Sequence, residues 1–262
     1  MFQNNLIIKN KKLPLFALGT APFISAQYFG HRARLYQLDF GENPENIYKI
    51  IKYSYDKGVR AIQVIPEKPV INALKIVKEE NLDVSIYGTI RKNNINKDIK
   101  IFSDLNAEIM FLDEWLTDKS ESDFIMGVLD IINEEDTLSG LITALPKETT
   151  KKLINSPIKE LFDIYMLPIN KLGYLMDYPL FVPSAREELK ENLIKLDKPV
   201  MAAQTLAAGI LQPQEALKFI KSLGYVDMLT IGLAKESETD ETIDILFQVW
   251  LFFIVFFLLL FL

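Results

Sequence analysis

Along the chain, short apolar runs rich in β-branched residues alternate with longer stretches whose apolar positions recur every three or four residues. The runs read as strands over 13–21, 59–64, 84–90, 108–112, 138–143, 161–167, 199–203 and 228–231. Between them, helices are predicted over 44–57, 69–80, 94–105, 122–133, 147–155, 185–196, 213–223 and from 236 onward. Start signals support several of these: Asn43 before Pro44, Ser184 three residues ahead of Glu187, and Gln212 before Pro213. In the first helix, Ile47, Ile50, Ile51 and Ser54 keep helical spacing, and Lys57-Gly58 supplies the stop. Eight such alternations in one chain predict an α/β fold of the (β/α)8 TIM-barrel type. A doubly wound sheet shares the alternation, but its first turn normally carries a glycine-rich phosphate loop. Here that turn reads Gly19-Thr20-Ala21-Pro22, and no Walker-type loop occurs in the chain.

One stretch stands outside this pattern. Residues 245–262 read ILFQVWLFFIVFFLLLFL, without a charge. The reading is therefore one barrel domain over 1–244 and a hydrophobic helical tail over 245–262. Eighteen residues span about 27 Å as a helix, close to the thickness of a hydrocarbon layer. A membrane anchor and a frame-shifted translation of T-rich DNA are the two readings of the tail. The N-terminus, whose apolar part is only Leu6 to Ile8, does not read as a signal peptide.

Composition narrows the chemistry. The 262 residues include no cysteine and one histidine, and the net charge is −6. Disulfides, thiolate metal sites, cysteine nucleophiles and sites needing two imidazoles are excluded. The acidic balance argues against nucleic acid as a partner. The expectation is a cytoplasmic body acting on a small molecule, with no metal and with membrane contact only through the tail.

In a barrel the site is built where strands end and loops begin. The long stretch 23–41 after the first strand reads as a functional loop, carrying His31, Arg32 and Arg34. His31 is either a general acid or base and anion contact, or a solvated loop residue. Arg32 suits a two-pronged grip on a carboxylate or phosphate. Gln63, Thr89, Asn170, Gln204 and Thr205 follow other strands, with Glu67 and Lys68 nearby. Asp113 and Glu114 close the fourth strand, and since neighbours on a strand face opposite ways, one of them at most points inward. Carboxylates there serve as acid or base once burial raises their pKa, or else as surface ion-pair residues.

The last third of the chain resembles the aldo-keto reductases. Residues 199–209 (PVMAAQTLAAG) are similar to that family's seventh strand and following turn, 213–219 (PQEALKF) to the next helix, and 226–232 (VDMLTIG) to the eighth strand. Ile169-Asn170, Leu18-Gly19-Thr20 and residues 58–63 also resemble family segments. The resemblance implies a (β/α)8 barrel with a nicotinamide dinucleotide, NAD(P), across the strand ends. It implies a phosphate cradle at Gly232, Lys235 and the helix start near Glu236, with Asn170 and Gln204 beside the cofactor. It departs at the chemistry: the family's catalytic aspartate, tyrosine, lysine and histidine fall near Gln63, Lys68, Thr89 and Asp113, and its stacking aromatic falls at Ala203. The expected function is an atypical NAD(P)-dependent oxidoreductase acting on a small carbonyl or alcohol. In it Lys68, Asp113 or His31 supplies the proton, and Arg32 and Gln63 hold the substrate. Two other classes stay open: a cofactor-free lyase, isomerase or hydrolase gripping an anionic substrate through His31 and Arg32, and a non-catalytic binding or scaffold barrel.

Overall fold

The structure, a computed structural model, describes residues 5–178 and 180–259, with side chains as far as Val249. The chain opens with a hairpin, β1 (Asn5–Ile8) and β2 (Lys11–Pro14), paired antiparallel. Its turn is Lys9-Asn10, both at positive φ, the pairing that suits tight hairpins. Eight parallel strands follow: β3 (Phe16–Gly19), β4 (Ala61–Val64), β5 (Ser85–Ile90), β6 (Ile109–Leu112), β7 (Leu138–Ile142), β8 (Ile164–Pro168), β9 (Val200–Ala203) and β10 (Met228–Gly232). They close into one barrel, β10 pairing with β3. The helices are α1 (His31–Phe40), α2 (Pro44–Asp56), α3 (Lys68–Glu79), α4 (Ile95–Asp104), α5 (Glu114–Lys119), α6 (Ser122–Asn133), α7 (Pro146–Ile154), α8 (Pro183–Leu196), α9 (Pro213–Leu223) and α10 (Glu236–Leu259). This is the (β/α)8 TIM barrel that the alternation predicts.

Alternation along each strand divides the core in two. Phe16, Leu18, Ile62 and Val64 point outward to the helices, while Ala17, Ala61, Tyr87, Ile109, Phe111, Met166, Met201 and Met228 fill the interior. Three methionines in that filling adapt to an irregular space. The expected first strand, 13–21, is divided by a bend at Leu15. Pro14 has no N–H to give a ladder, and its carbonyl instead accepts from the Tyr87 hydroxyl at 2.9 Å. The segment before the bend becomes a plug, with Leu13 buried against Ala17 and Tyr87 in the interior cluster.

The stretch 23–41 is mostly helical rather than an irregular loop. After two short turns it forms α1, whose Tyr36 and Phe40 are buried. Phe23 meets Phe40 with ring centres 5.0 Å apart, and Phe29 meets Tyr36 at 5.1 Å. An aromatic spine thus docks the segment over the first strands.

Helix α10 runs without a break from Glu236 into the apolar stretch. Ile243, Leu246 and Val249 are buried, and the Lys221 ammonium on α9 donates to the Val249 carbonyl. The first turn of 245–262 thus packs in the helical layer of the barrel. Among the described residues no helix is long and apolar enough to cross a membrane. The greater part of the proposed anchor, 250–262, lies outside the residues whose side chains are described.

Candidate functional site

At the C-terminal ends of the barrel strands lies a cavity of about 400 Å³, within the range of small-ligand pockets. Its floor is polar. Gln63 at the end of β4 donates through Nε2 to the Thr89 hydroxyl on β5 at 2.8 Å, both side chains being buried. Thr143, just past β7, donates its hydroxyl to Asp118 at 2.6 Å and accepts from the Leu145 N–H at 2.9 Å. Thr230 alternates with Met228 and Gly232 on β10, so its hydroxyl faces inward. Thr205 and Thr230 are 1% and 6% exposed, and neither hydroxyl has a protein partner. The Gln204 side-chain oxygen, Oε1, is also buried and unpartnered.

One wall is the turn after β9. Gln204, Ala207 and Ala208 all adopt left-handed backbone conformations, at φ 53°, 48° and 56°. Non-glycine residues hold such angles at a cost of order 1–3 kcal/mol each, and they collect at binding sites. The roof comes from 27–36. Tyr28, Phe29, Arg32 and Tyr36 cover the mouth. The Tyr174 hydroxyl donates to the Tyr28 carbonyl at 3.2 Å, and the Arg32 guanidinium reaches the Gly209 carbonyl at 3.4 Å. This long contact ties the roof to the β9 wall.

The remaining wall is acidic. Glu114, Glu238 and Glu241 line the cavity against one guanidinium, Arg32. Glu114 opens to solvent through the mouth yet is ringed by protein, and this burial pushes its carboxyl above the ordinary range, with Asp113 and Asp118 adding to the rise. The Tyr28 phenol is raised, by burial first and Glu114 second. Burial also raises Tyr36, with Glu238 adding to it and Arg32 opposing. Two poles result: Glu114 beside Tyr28, and Glu238 with Arg32 beside Tyr36.

Of the residues singled out in the sequence, Gln63, Arg32, Gln204 and Gly232 line this cavity; Lys68, His31, Asp113, Asn170 and Lys235 do not. His31 is exposed on the first turn of α1, whose neighbour Arg32 turns to the mouth instead. Lys68 is exposed at the start of α3, and Glu67 pairs with Arg91 at 2.7 Å. Asp113 caps α5, accepting from the Leu116 N–H at 2.8 Å and the Lys92 N–H at 3.2 Å. With the strand ended and the helix begun, it is Glu114 that reaches the cavity. Asn170 clamps its own loop, its Oδ1 accepting from the Tyr174 N–H at 2.8 Å and its Nδ2 donating to the Tyr174 carbonyl at 2.9 Å. Lys235 is exposed beyond the rim. Tyr28, Tyr36, Thr230, Glu238 and Glu241 are lining residues that the sequence reading passed over. Their signals were the two-residue alternation of 228–232 and the three-residue spacing of Glu238 and Glu241.

The cradle inferred for a dinucleotide can be tested on this geometry. A Cβ built on Gly232 would lie 2.6 Å from Pro22, so Pro22 already covers that backbone. The Ala234 N–H at the head of α10 donates to Glu238 Oε2 at 2.8 Å, so a carboxylate takes the place where helix amides would meet a phosphate. With Glu241 one turn on and Lys235 outside, these residues do not fit the phosphates of a nicotinamide dinucleotide. Among the described residues no group of His, Asp and Glu is placed to hold a metal ion.

No family model matches the chain, and no curated protein matches it in sequence. Solved structures do match in fold. A Pseudomonas aeruginosa protein assigned as an aldo-keto reductase is 11% identical, with a TM-score of 0.63 over 95% of this chain and 98% of its own. A variant of Gox0644 in complex with NADPH is 9% identical, with a TM-score of 0.62 over 93% and 89%. Phosphoribosyl anthranilate isomerase from Thermus thermophilus is 9% identical, with a TM-score of 0.52 over 77% and 94%. At these identities the likeness is one of barrel fold, shared by proteins of different chemistry.

Proposed function

We propose that the mouth binds a small hydroxylated carbonyl compound and that Glu114 moves a proton on it, as in a lyase or isomerase, without a bound dinucleotide. The observation that carries this reading is Glu114 itself. It lines a cavity floored by hydroxyls and carboxamides, with its carboxyl raised above the ordinary range by burial. A raised carboxyl sits nearer neutral pH, where one group both accepts and returns a proton efficiently. In the step proposed, a C–H bond beside the substrate carbonyl breaks, its proton passes to Glu114, and the electron pair moves onto the carbonyl oxygen. The same carboxyl then returns the proton, so no oxidant or reductant is consumed.

The oxidoreductase reading draws support from the barrel neighbours, one of them holding NADPH, and from Gln204 and Gly232 on the wall. Against it stand the acidic wall and the position of Lys68 outside the mouth. The grip on an anion through His31 and Arg32 loses one of its two residues, since His31 does not line the cavity. Two measurements separate these readings. Proton NMR in D2O with a panel of small hydroxycarbonyls should show exchange of one C–H in the wild type, slowed about a hundredfold or more in Glu114→Gln. Calorimetric titration with NADH and NADPH should show no binding. Tight binding of either dinucleotide, or exchange indifferent to Glu114, would overturn the proposal.

A further inference from the structure

The charge of the cavity wall goes further and names the class of ligand. We infer that the ligand carries a cationic amine beside its hydroxyls, with the ammonium group held by Glu238 and Glu241. This rests on the proposal that the mouth is a ligand site, and it specifies what enters. Glu238 and Glu241 stand three residues apart on α10, so they share one face of the helix, and both line the cavity. Glu238 gives one oxygen, Oε2, to the Ala234 N–H. Neither carboxylate forms an ion pair with a lysine or arginine among the described residues. Asp240, between them in sequence, pairs instead with Lys57 at 2.6 Å, away from the mouth. Among the described residues Arg32 is the single cation on the wall, and it meets the Gly209 carbonyl and the Tyr36 side chain.

The second, independent observation is a set of buried, unpartnered polar atoms on residues that line the same cavity. The Thr205 and Thr230 hydroxyls and the Gln204 side-chain Oε1 lack partners among the described residues. A carboxamide oxygen only accepts, and a hydroxyl gives and accepts, so the three together ask for a ligand rich in O–H and N–H donors. An anionic ligand would bring further acceptors to an acidic wall. An ammonium with neighbouring hydroxyls satisfies both the wall and the floor.

The test uses the full chain and three probes of matched size: 2-amino-1,3-propanediol, glycerol and glycerate. Backbone amide shifts of Gln204, Thr205 and Thr230 are followed by NMR at millimolar probe. The expected result is that the amino diol binds about fivefold or more tightly than glycerol, and glycerate most weakly. Glu241→Gln should remove most of that preference and Glu238→Gln part of it, while Lys235→Gln leaves it unchanged. Glu241 is exposed and forms no hydrogen bond or ion pair among the described residues, so its variant stays informative where Glu238→Gln weakens the head of α10. Glycerate binding as well as the amino diol, or a preference that survives Glu241→Gln, overturns the inference alone. Silence of all three probes at these amides overturns the ligand-site reading beneath it.

Discussion

Replacing threonine by valine at three positions in the mouth should give opposite signs, because the hydroxyls have different fates. Thr205 and Thr230 are buried with unpartnered hydroxyls, whereas the Thr143 hydroxyl gives to Asp118 at 2.6 Å and takes from Leu145 at 2.9 Å. A buried polar group left unpaired costs about 1–3 kcal/mol. Water reaching the mouth recovers part of this, so Thr230→Val and Thr205→Val should each stabilise the free protein by about 1–2 kcal/mol. For a domain of this size 1 kcal/mol moves the melting temperature by about 2–4 °C. The expected gain is therefore roughly 2–8 °C in a thermal melt. Valine also suits the strand position of Thr230. At Thr143 the same change strips a hydrogen bond to a carboxylate and orphans an amide, costing about 2–3 kcal/mol, or roughly 4–12 °C. If Thr205→Val and Thr230→Val lower the melting temperature as Thr143→Val does, these hydroxyls are satisfied in the free protein and the reasoning fails. If they raise it and also weaken probe binding, stability at these positions has been given up for function.

Glu114 should make stability depend on pH. Because folding raises its pKa, the folded chain holds a proton that the unfolded chain has released. This contribution is whole below the ordinary carboxylate pKa and is lost as pH rises through the shifted value. Glu114→Gln should therefore gain over the wild type in melts taken from acid to neutral pH, and a constant gap would show the carboxyl to be unperturbed. Asp113→Ala removes the cap of α5 and should cost about 1 kcal/mol in urea unfolding, with no change in probe affinity; a lost ligand would return Asp113 to the site. A chain ending at Val249 should unfold cooperatively, read by circular dichroism. One ending at Thr242 loses buried Leu246 and Ile243 and should be weaker by well over 2–5 kcal/mol, the cost of one such side chain. Equal stability of the two would show that α10 beyond 242 is no part of the barrel.

The barrel was legible because two periods alternate cleanly. The run 84–90 became β5, and 213–223 became α9 at the same bounds. What hid α1 was its thin apolar face: only Tyr36 and Phe40 are buried in ten residues, too few to show a helical stripe. The site was half legible. Gln63 and Gln204 follow apolar runs and line the mouth, as strand ends should. Asp113 lies off the mouth for a reason no alternation reveals: the strand stops at Leu112 and a helix begins, so the carboxylate turns back to cap it. Glu238 and Glu241 looked like an ordinary acidic first turn of a helix. Only the closure of the barrel brings these two side chains to the rim of the mouth.

The carboxylates of the chain differ in what they accept from, and the difference bears on the proposed site. At the N-terminal end of the barrel, the acid just before a strand accepts from an amide of the preceding strand: Glu108 from Ile86 at 2.7 Å, Asp163 from Ser139 at 3.2 Å, Asp227 from Val200 at 2.8 Å. The device recurs at alternate strands and staples the barrel shut. At the other end, Asp113, Asp118 and Asp177 likewise serve backbone amides of nearby helices and loops. Each of these carboxylates accepts from at least one backbone amide, so removing one leaves that N–H without its partner and costs stability. Among the described residues Glu114 and Glu241 accept from no backbone amide of another element, whereas Glu238 gives Oε2 to the Ala234 N–H as those structural carboxylates do. Fold stability does not call for three carboxylates around one cavity, where their mutual repulsion works against it. On the proposed reading they serve what the cavity would receive, a proton at Glu114 and a positive charge at Glu238 and Glu241.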